Sequence, residues 1–351
     1  MFYYLIIFIL AAVLAMLLTP LAIILAGKWG IIDYPGDRRI HTFPIPRLGG
    51  AAIFLAFWLT IFLLIDFDQM ILGLFLGSSI IFLVGMVDDI KGLRPLVKLL
   101  WQLVAAIVPL FFGLAVEQVT LPILGEIYLG MAIGYAFAVI WIVGVVNTVN
   151  ISDGLDGLAA GICFIAALIL CWSALRIDQV IPAYLLLALA GVALGFLFYN
   201  YHPAKIFMGD SGSMFLGYIL GAVSIWGLLK TATILGLVFP LLVLGMPITD
   251  VLFAIIRRSW KGLSIARADR GHLHHRLLDA GFSQKQAVLI LYAISLCFGL
   301  AAILSVYGYW LVSLILILLN TGLILRIMLR RFFLLNNNNK IRKSNEKRGK
   351  K

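Results

Sequence analysis

Residues 131–175 read MAIGYAFAVIWIVGVVNTVNISDGLDGLAAGICFIAALILCWSAL. Two apolar runs flank a polar island in which Asn147, Asn150, Asp153 and Asp156 stand among Gly154, Gly157 and Gly161. Each run approaches the roughly 20 residues that a helix needs to cross a bilayer. The island is then the connection between two spans, and its carboxylates and amides need a reason to be there.

The same pattern extends along the whole chain. The mean hydropathy is +1.09, with 63% hydrophobic and 12% charged residues among 351, which places the protein outside the soluble globular class. Apolar runs at 3–27, 48–65, 69–87, 99–116, 129–149, 158–175, 180–199, 213–229, 232–256, 286–306 and 309–329 predict an all-α, polytopic membrane bundle of about 11 transmembrane helices. The first run has no basic n-region and no small-residue cleavage site, so it is expected to be retained as a span. Cys163, Cys171 and Cys297 lie within apolar runs without CxxC spacing and read as core residues. The expected organisation is one transmembrane domain over residues 1–335, followed by a basic, disordered cytoplasmic tail over 336–351.

Basic residues set the orientation. With the N-terminus outside, only Arg176 and Lys230 of the 27 Lys and Arg fall in outer loops. The opposite face is therefore cytoplasmic, the number of spans is odd and the C-terminus lies inside. The net charge of +11 is a topology and lipid-surface signal. With no basic face on a folded soluble module, it does not imply nucleic acid.

The polar chemistry is one-sided. The inner connections hold all five histidines and most of the 16 acidic residues. The outer ones are short, apart from EQVTLPILGEIYLG at 117–130, whose alternation around Gly125 predicts a small hairpin. A secondary transporter or flippase would place ionisable groups near the bilayer midplane. Here the spans carry almost no charge, apart from Asp250 near the inner end of its helix. That distribution favours an enzyme at the cytoplasmic interface over a transporter or flippase.

Several inner elements carry the chemistry. In VDDIKGLRPLVK, Asp88 and Asp89 end an apolar helix ahead of Lys91, Arg94 and Lys98. Adjacent carboxylates stay ionised when a cation or metal joins them, and neighbours about 100° apart on a helix face different partners. In NTVNISDGLDG, Asp153 and Asp156 share a face if the segment is helical, with Asn147 and Asn150 one turn earlier. In NYHPAKIFMGDSGS, Asp210 opens a long apolar helix whose N-terminus favours anions, which suits a Mg²⁺ ligand beside a phosphate. Phe207 is placed to stack on a base or to act as an interfacial aromatic. In GHLHHRL, His272, His274, His275 and Arg276 suit a diphosphate pocket better than zinc, since no cysteine is nearby. Carboxylates for a hard cation, with Lys, Arg and His for phosphates, make an inventory for phosphoryl transfer between a lipid phosphate and a soluble donor.

Taken together, PRLGG at 46–50, VDDIKGL, NTVNISDGLDGLAAG, NYHPAKIFMGDSGS and DRGHLHHRLLDAGFS resemble the polyprenyl-phosphate N-acetylhexosamine-1-phosphate transferases, a family that includes the phospho-MurNAc-pentapeptide translocases. The resemblance implies transfer of a sugar 1-phosphate from a UDP-N-acetylhexosamine to undecaprenyl phosphate, releasing UMP, in the bacterial cytoplasmic membrane. GHLHHRLLDAGFS departs from the translocase run of three consecutive histidines and looks like the branch that uses UDP-N-acetylglucosamine. Translocase activity and UDP-N-acetylgalactosamine specificity are the alternatives. By position, the resemblance implies catalytic roles for Asp88, Asp89 and Asp210. It assigns Mg²⁺, or Mn²⁺ in its place, to Asp210, Asp89 and Asp156. It gives substrate contacts to Lys98, Asn150, Asp153, Asp156, Asn200, Phe207, His272, His274, His275 and Arg276. Membrane lipids surround the protein, and a homo-oligomer is compatible with the sequence.

Overall fold

The computed structural model describes residues 2–35, 43–116, 118–121, 125–229, 238–260, 262 and 271–328. The basic tail assigned to 336–351 and Arg270 lie outside these residues. The described chain is a bundle of helices with two small hairpins. Its helices are α1 (Phe2–Trp29), α2 (Gly49–Leu64), α3 (Gln69–Lys91), α4 (Pro95–Ile107), α5 (Gly130–Ser152), α6 (Leu158–Arg176), α7 (Val180–Asn200) and α8 (Gly209–Ser224). They continue with α9 (Val238–Val243), α10 (Gly245–Trp260), α11 (Leu273–Asp279), α12 (Gln284–Val306) and α13 (Trp310–Met328). Strands β1 (Ile32–Asp33) and β2 (Ile45–Pro46) pair antiparallel. So do β3 (Gln118–Leu121) and β4 (Gly125–Tyr128), with Gln118 opposite Tyr128, where alternation in the sequence predicts a hairpin.

Among the described residues eight helices are long and apolar enough to cross a membrane: α1, α3, α4 with its 3-10 extension to Phe112, α5, α6, α7, α12 and α13. The three other apolar runs take less regular forms. The second becomes α2, only 16 residues long. The eighth becomes α8, which passes into a π-helical turn at Ile225–Leu229. The ninth breaks into α9 and α10, where Pro247 has no N–H to return to Val243 one turn earlier. Hydropathy is blind to such breaks, because it counts apolar side chains and not backbone hydrogen bonds.

Helix α8 is the centre of the bundle. Every residue in it except Asp210 is buried, and it packs against α2, α3 and α5. Polar groups within this core find partners, as a hydrocarbon setting requires. Trp58 Nε1 donates to Ser78 Oγ at 3.0 Å, Trp141 Nε1 to Ser224 Oγ at 2.9 Å and the Tyr218 hydroxyl to the Ala105 carbonyl at 3.0 Å.

Small residues bring backbones together where α8 begins. Gly49 N–H donates to the Phe207 carbonyl at 3.0 Å, Gly50 N–H to that of Met208 at 2.9 Å and Phe207 N–H to that of Pro46 at 2.8 Å. The start of α2 is thus laced onto the strand of chain leading into α8, and two of its orphan N–H groups are satisfied there. On the other side, a Cβ added to Gly85 of α3 would strike the Ser211 backbone. Gly85→Ala should therefore push α3 off α8 and cost about 1–3 kcal/mol, the usual penalty of overpacking. Gly144→Ala, whose Cβ would meet nothing within 4 Å, should leave the melting temperature in detergent unchanged.

Candidate active site

The end of α3 supplies Asp88 and Asp89, and Gly92, at φ +68°, closes the helix after them. The two carboxylates diverge and take different partners, as their helical spacing predicts. Asp88 Oδ1 accepts from the Leu93 N–H at 2.6 Å, and its Oδ2 lies 3.0 Å from Lys98 Nζ on α4. Asp89 turns the other way, toward the start of α8.

The Asp89 side chain is fully buried. Its Oδ1 accepts from the Asp210 N–H at 2.8 Å, and its Oδ2 accepts from the Ser211 N–H at 3.1 Å and the Ser211 hydroxyl at 2.7 Å. Arg47 Nε stands 3.0 Å from Oδ1. A carboxylate from one helix therefore caps another, at the positive end of its dipole. These contacts use the roughly four lone-pair directions of a carboxylate. Asp89 is expected from sequence as a metal ligand, yet here its oxygens are committed to protein.

Arg47 also reaches Asp210, with Nη2 3.1 Å from Oδ1, and Lys98 Nζ bonds Asp210 Oδ2. Asp88, Lys98, Asp210, Arg47 and Asp89 form one chain of alternating charge, three carboxylates against two cations. Burial works against the Arg47 guanidinium, but Asp89 and then Asp210 outweigh it and hold its pKa above the usual arginine value.

Beside this chain opens a cleft of about 350 Å³. Of the residues expected from sequence, Asn150, Asp153, Asp156, Asn200, Phe207, Asp210 and His275 line it. Asp88 and Lys98 meet the cleft through Asp210. Arg47, Asp33 and Gln284 line it as well, without having been assigned a role from sequence. Arg47 sits in PRLGG, and the glycine pair after it was the available signal, since glycines permit the close approach that delivers the guanidinium.

The polar island at 147–161 is not helical throughout. Helix α5 ends at Ser152 and α6 begins at Leu158, with Gly157 at φ +79°. Glycine tolerates this conformation at no steric cost. As a result Asp153 and Asp156 do not form one helical stripe. Asp156 Oδ2 faces His202 Nδ1 at 2.7 Å and accepts from the Ala204 N–H at 3.1 Å. Asn200 accepts from the Gly157 N–H at 3.1 Å and donates to the Ile206 carbonyl at 2.9 Å. Both tie the α5–α6 turn to the α7–α8 loop, so the two walls of the cleft are joined by hydrogen bonds. Asp153 is the less committed group. Burial, and then the Asp210 carboxylate, push its pKa up to about 7, so near neutrality it is poised between accepting a cation and donating a hydrogen bond.

The histidine segment divides likewise. His272 and His274 are 7% and 4% exposed, and only His275 of the three lines the cleft. Asp250 holds the segment from α10, its Oδ2 3.0 Å from His272 Nδ1 and its Oδ1 accepting from the Leu273 N–H at 2.9 Å. The His274 ring packs on Gly154, where a side chain would collide with it. Arg276 Nε donates to the Gly271 carbonyl at 3.4 Å. Burial, with His275 beside it, lowers the His274 pKa to about 3. His274 is therefore a neutral wall of the turn.

Among the described residues no three His, Cys, Asp or Glu side chains converge to hold a metal by themselves. A magnesium ion takes one or two carboxylates and completes its shell with water and substrate phosphates. The all-oxygen donors Asp210 and Asp153 suit that cation.

Residues 71–228 match the family described as glycosyl transferase family 4. The chain is 39% identical over 297 residues to a probable undecaprenyl-phosphate N-acetylglucosaminyl 1-phosphate transferase of Bacillus subtilis, covering 84% of this chain and 83% of that protein. It is 36% identical over 312 residues to a decaprenyl-phosphate N-acetylglucosaminephosphotransferase of Mycobacterium tuberculosis, covering 80% and 77%. A phospho-N-acetylmuramoyl-pentapeptide-transferase of Anoxybacillus flavithermus is 33% identical over 284 residues, covering 75% and 83%.

Two outcomes follow from the geometry. Asp89→Ala should lower unfolding stability by about 1–3 kcal/mol, the cost of orphaning charged hydrogen-bond partners, and Asp88→Ala should cost less; thermal unfolding in detergent compares them. A histidine whose folded pKa is depressed costs nothing above its unfolded value near 6.5, and stability is lost as pH falls from there toward the folded value of about 3. At pH 5 the loss is about 2 kcal/mol, and unfolding curves at pH 7.5 and pH 5 should show His274→Asn spared it.

Proposed function

The chain belongs to the polyprenyl-phosphate N-acetylhexosamine-1-phosphate transferases of glycosyl transferase family 4, and on that premise we propose that it transfers N-acetylglucosamine 1-phosphate from its UDP-sugar to undecaprenyl phosphate. The observation that carries this reading is the alternating chain Asp88, Lys98, Asp210, Arg47 and Asp89 at the edge of a cleft lined by Phe207, Asp153 and His275. Cations held by carboxylates at a cleft mouth are placed to exchange one anionic partner for another, and incoming phosphates are such partners.

In the proposed reaction an oxygen of the lipid phosphate attacks the sugar-bound phosphorus of the donor. A new P–O bond forms, the bond to the UMP phosphate breaks, and UMP leaves with the electron pair. A phosphate monoester has a second pKa near 6, so at neutral pH the acceptor is already largely dianionic and little proton is left to remove. Asp88 then serves to hold Lys98, and Lys98 and Arg47 stabilise charge on the phosphates. Phe207 offers a face to the uracil ring, and His275 a hydrogen bond to the donor. Magnesium, or manganese in its place, would be held by Asp210 with Asp153 and would neutralise charge on the diphosphate. Asp156 and Asn200 keep the cleft walls in place.

The same reading has eleven crossings, with α2, α8 and the broken α9–α10 completing the eight longer spans, the N-terminus outside and the cleft on the cytoplasmic face, where the basic residues collect. Purified protein given undecaprenyl phosphate, Mg²⁺ and a panel of UDP-sugars should release UMP with UDP-N-acetylglucosamine in preference to UDP-N-acetylgalactosamine and UDP-MurNAc-pentapeptide. Asp210→Asn should reduce kcat by about 100-fold or more, the scale of losing a charge-stabilising group. Silence with every sugar would end the transferase reading, and near-normal turnover of the variant would remove Asp210 from the reaction centre.

A further inference from the structure

One helical turn beyond Lys98 on α4, Gln102 is 1% exposed in a part of the bundle filled by apolar side chains. Its amide pairs with that of Asn147 on α5. Asn147 Nδ2 donates to Gln102 Oε1 at 2.7 Å, while Gln102 Nε2 donates to Asn147 Oδ1 and to Met214 Sδ of α8, each at 3.4 Å. Asn147 also donates to the Val143 carbonyl at 2.8 Å. One turn further along α5, Asn150 Nδ2 donates to Ser213 Oγ at 2.9 Å, and Ser213 is three residues beyond Asp210 on α8. A neutral polar layer thus joins α4, α5 and α8 directly below the place where Lys98 of α4 meets Asp210 of α8.

Packing alone does not call for these amides. Burying an amide costs free energy unless both its ends are bonded, and leucine or methionine would fill the same space in a helix bundle. What the amides add is direction: both can be satisfied in only one rotation and height of α4 against its neighbours, whereas apolar contacts tolerate sliding. Lys98 hangs from that helix on a flexible stem, and its ammonium must lie between two carboxylates of α3 and α8.

We propose that Gln102 and Asn147 are positioning residues for the transfer step, fixing α4 so that Lys98 Nζ stands between Asp88 and Asp210 when the phosphates arrive. The proposal rests on the transferase reading and adds to it a pair that touches no substrate.

The test compares Gln102→Met, Asn147→Leu and the double variant with the wild type and with Trp141→Phe. Trp141→Phe removes a buried hydrogen bond between α5 and α8, to Ser224, some four helical turns from Asp210. Steady-state kcat, KM for each substrate and melting temperature in detergent are measured for all. Each single variant should lose about 10- to 100-fold in kcat, the cost of misplacing a group by roughly an ångström, with donor KM unchanged. The double variant should lose no more than the singles, and Trp141→Phe should melt like them yet keep wild-type kcat. An unchanged kcat in Gln102→Met, losses that multiply in the double variant, or an equal loss in Trp141→Phe would overturn the proposal. Gln102→Met preserves shape and decides the matter if Asn147→Leu does not fold. A silent wild type would fell the transferase reading itself, whereas an active wild type with unaffected variants fells only this inference.

Discussion

The carboxylate of Asp89, seated on the first N–H groups of α8 and paired with Arg47, is the contact on which the site depends. It crosses from α3 to the central helix at the depth where the apolar bundle gives way to charge. A buried carboxylate without partners would be prohibitively costly, and this one is affordable only because every oxygen is met. In return it fixes the start of α8, and with it the direction of the neighbouring Asp210 side chain. Arg47 reaches the same point because Gly49 and Gly50 let the PRLGG backbone lie directly on residues 207 and 208. Three segments far apart in sequence are locked together by one ion pair and a helix dipole.

From that anchor the site is built as a gradient of commitment. Asp89 is wholly engaged, Asp156 and Asn200 brace the walls, and Asp250 performs for α11 what Asp89 performs for α8, capping it from another helix. Asp210, Asp153, Phe207 and His275 are among the residues that line the cleft, with Arg47 and Lys98 in reach. Neighbouring aspartates of similar sequence context therefore do different work. The aspartates that brace the frame make those at the cleft useful, because a cation or phosphate meets donors whose positions are already set.

Much of this was legible in the sequence. Eight of the expected spans were, because about twenty apolar residues in a row have few alternatives, and so was the hairpin at 118–128. The aspartates stood out because charge at the end of an apolar helix needs a reason. The divergence of Asp88 and Asp89 followed from helix geometry alone. Other features were hidden for physical reasons. The break between α9 and α10 depends on hydrogen bonding around Pro247, which hydropathy does not register. The turn at Asp153–Gly157 replaced an expected helical stripe because Gly157 adopts a left-handed conformation. Arg47 is 163 residues from Asp210, and a pairing at that distance leaves no periodic trace. His272 and His274 stood out by residue type, whereas their burial against Asp250 and Gly154 depends on contacts far apart in sequence.

If Asp89 holds the helix while Asp210 and its cations meet the substrate, a structure determined with UDP-N-acetylglucosamine, Mg²⁺ and a short-chain polyprenyl phosphate will show it. The diphosphate should lie beside Asp210 within reach of Lys98 and Arg47, with uracil against Phe207 and Asp89 still bonded to the N–H groups of residues 210 and 211. A diphosphate bound away from Asp210, or Asp89 swung off α8 to ligate the metal, would refute this division of roles.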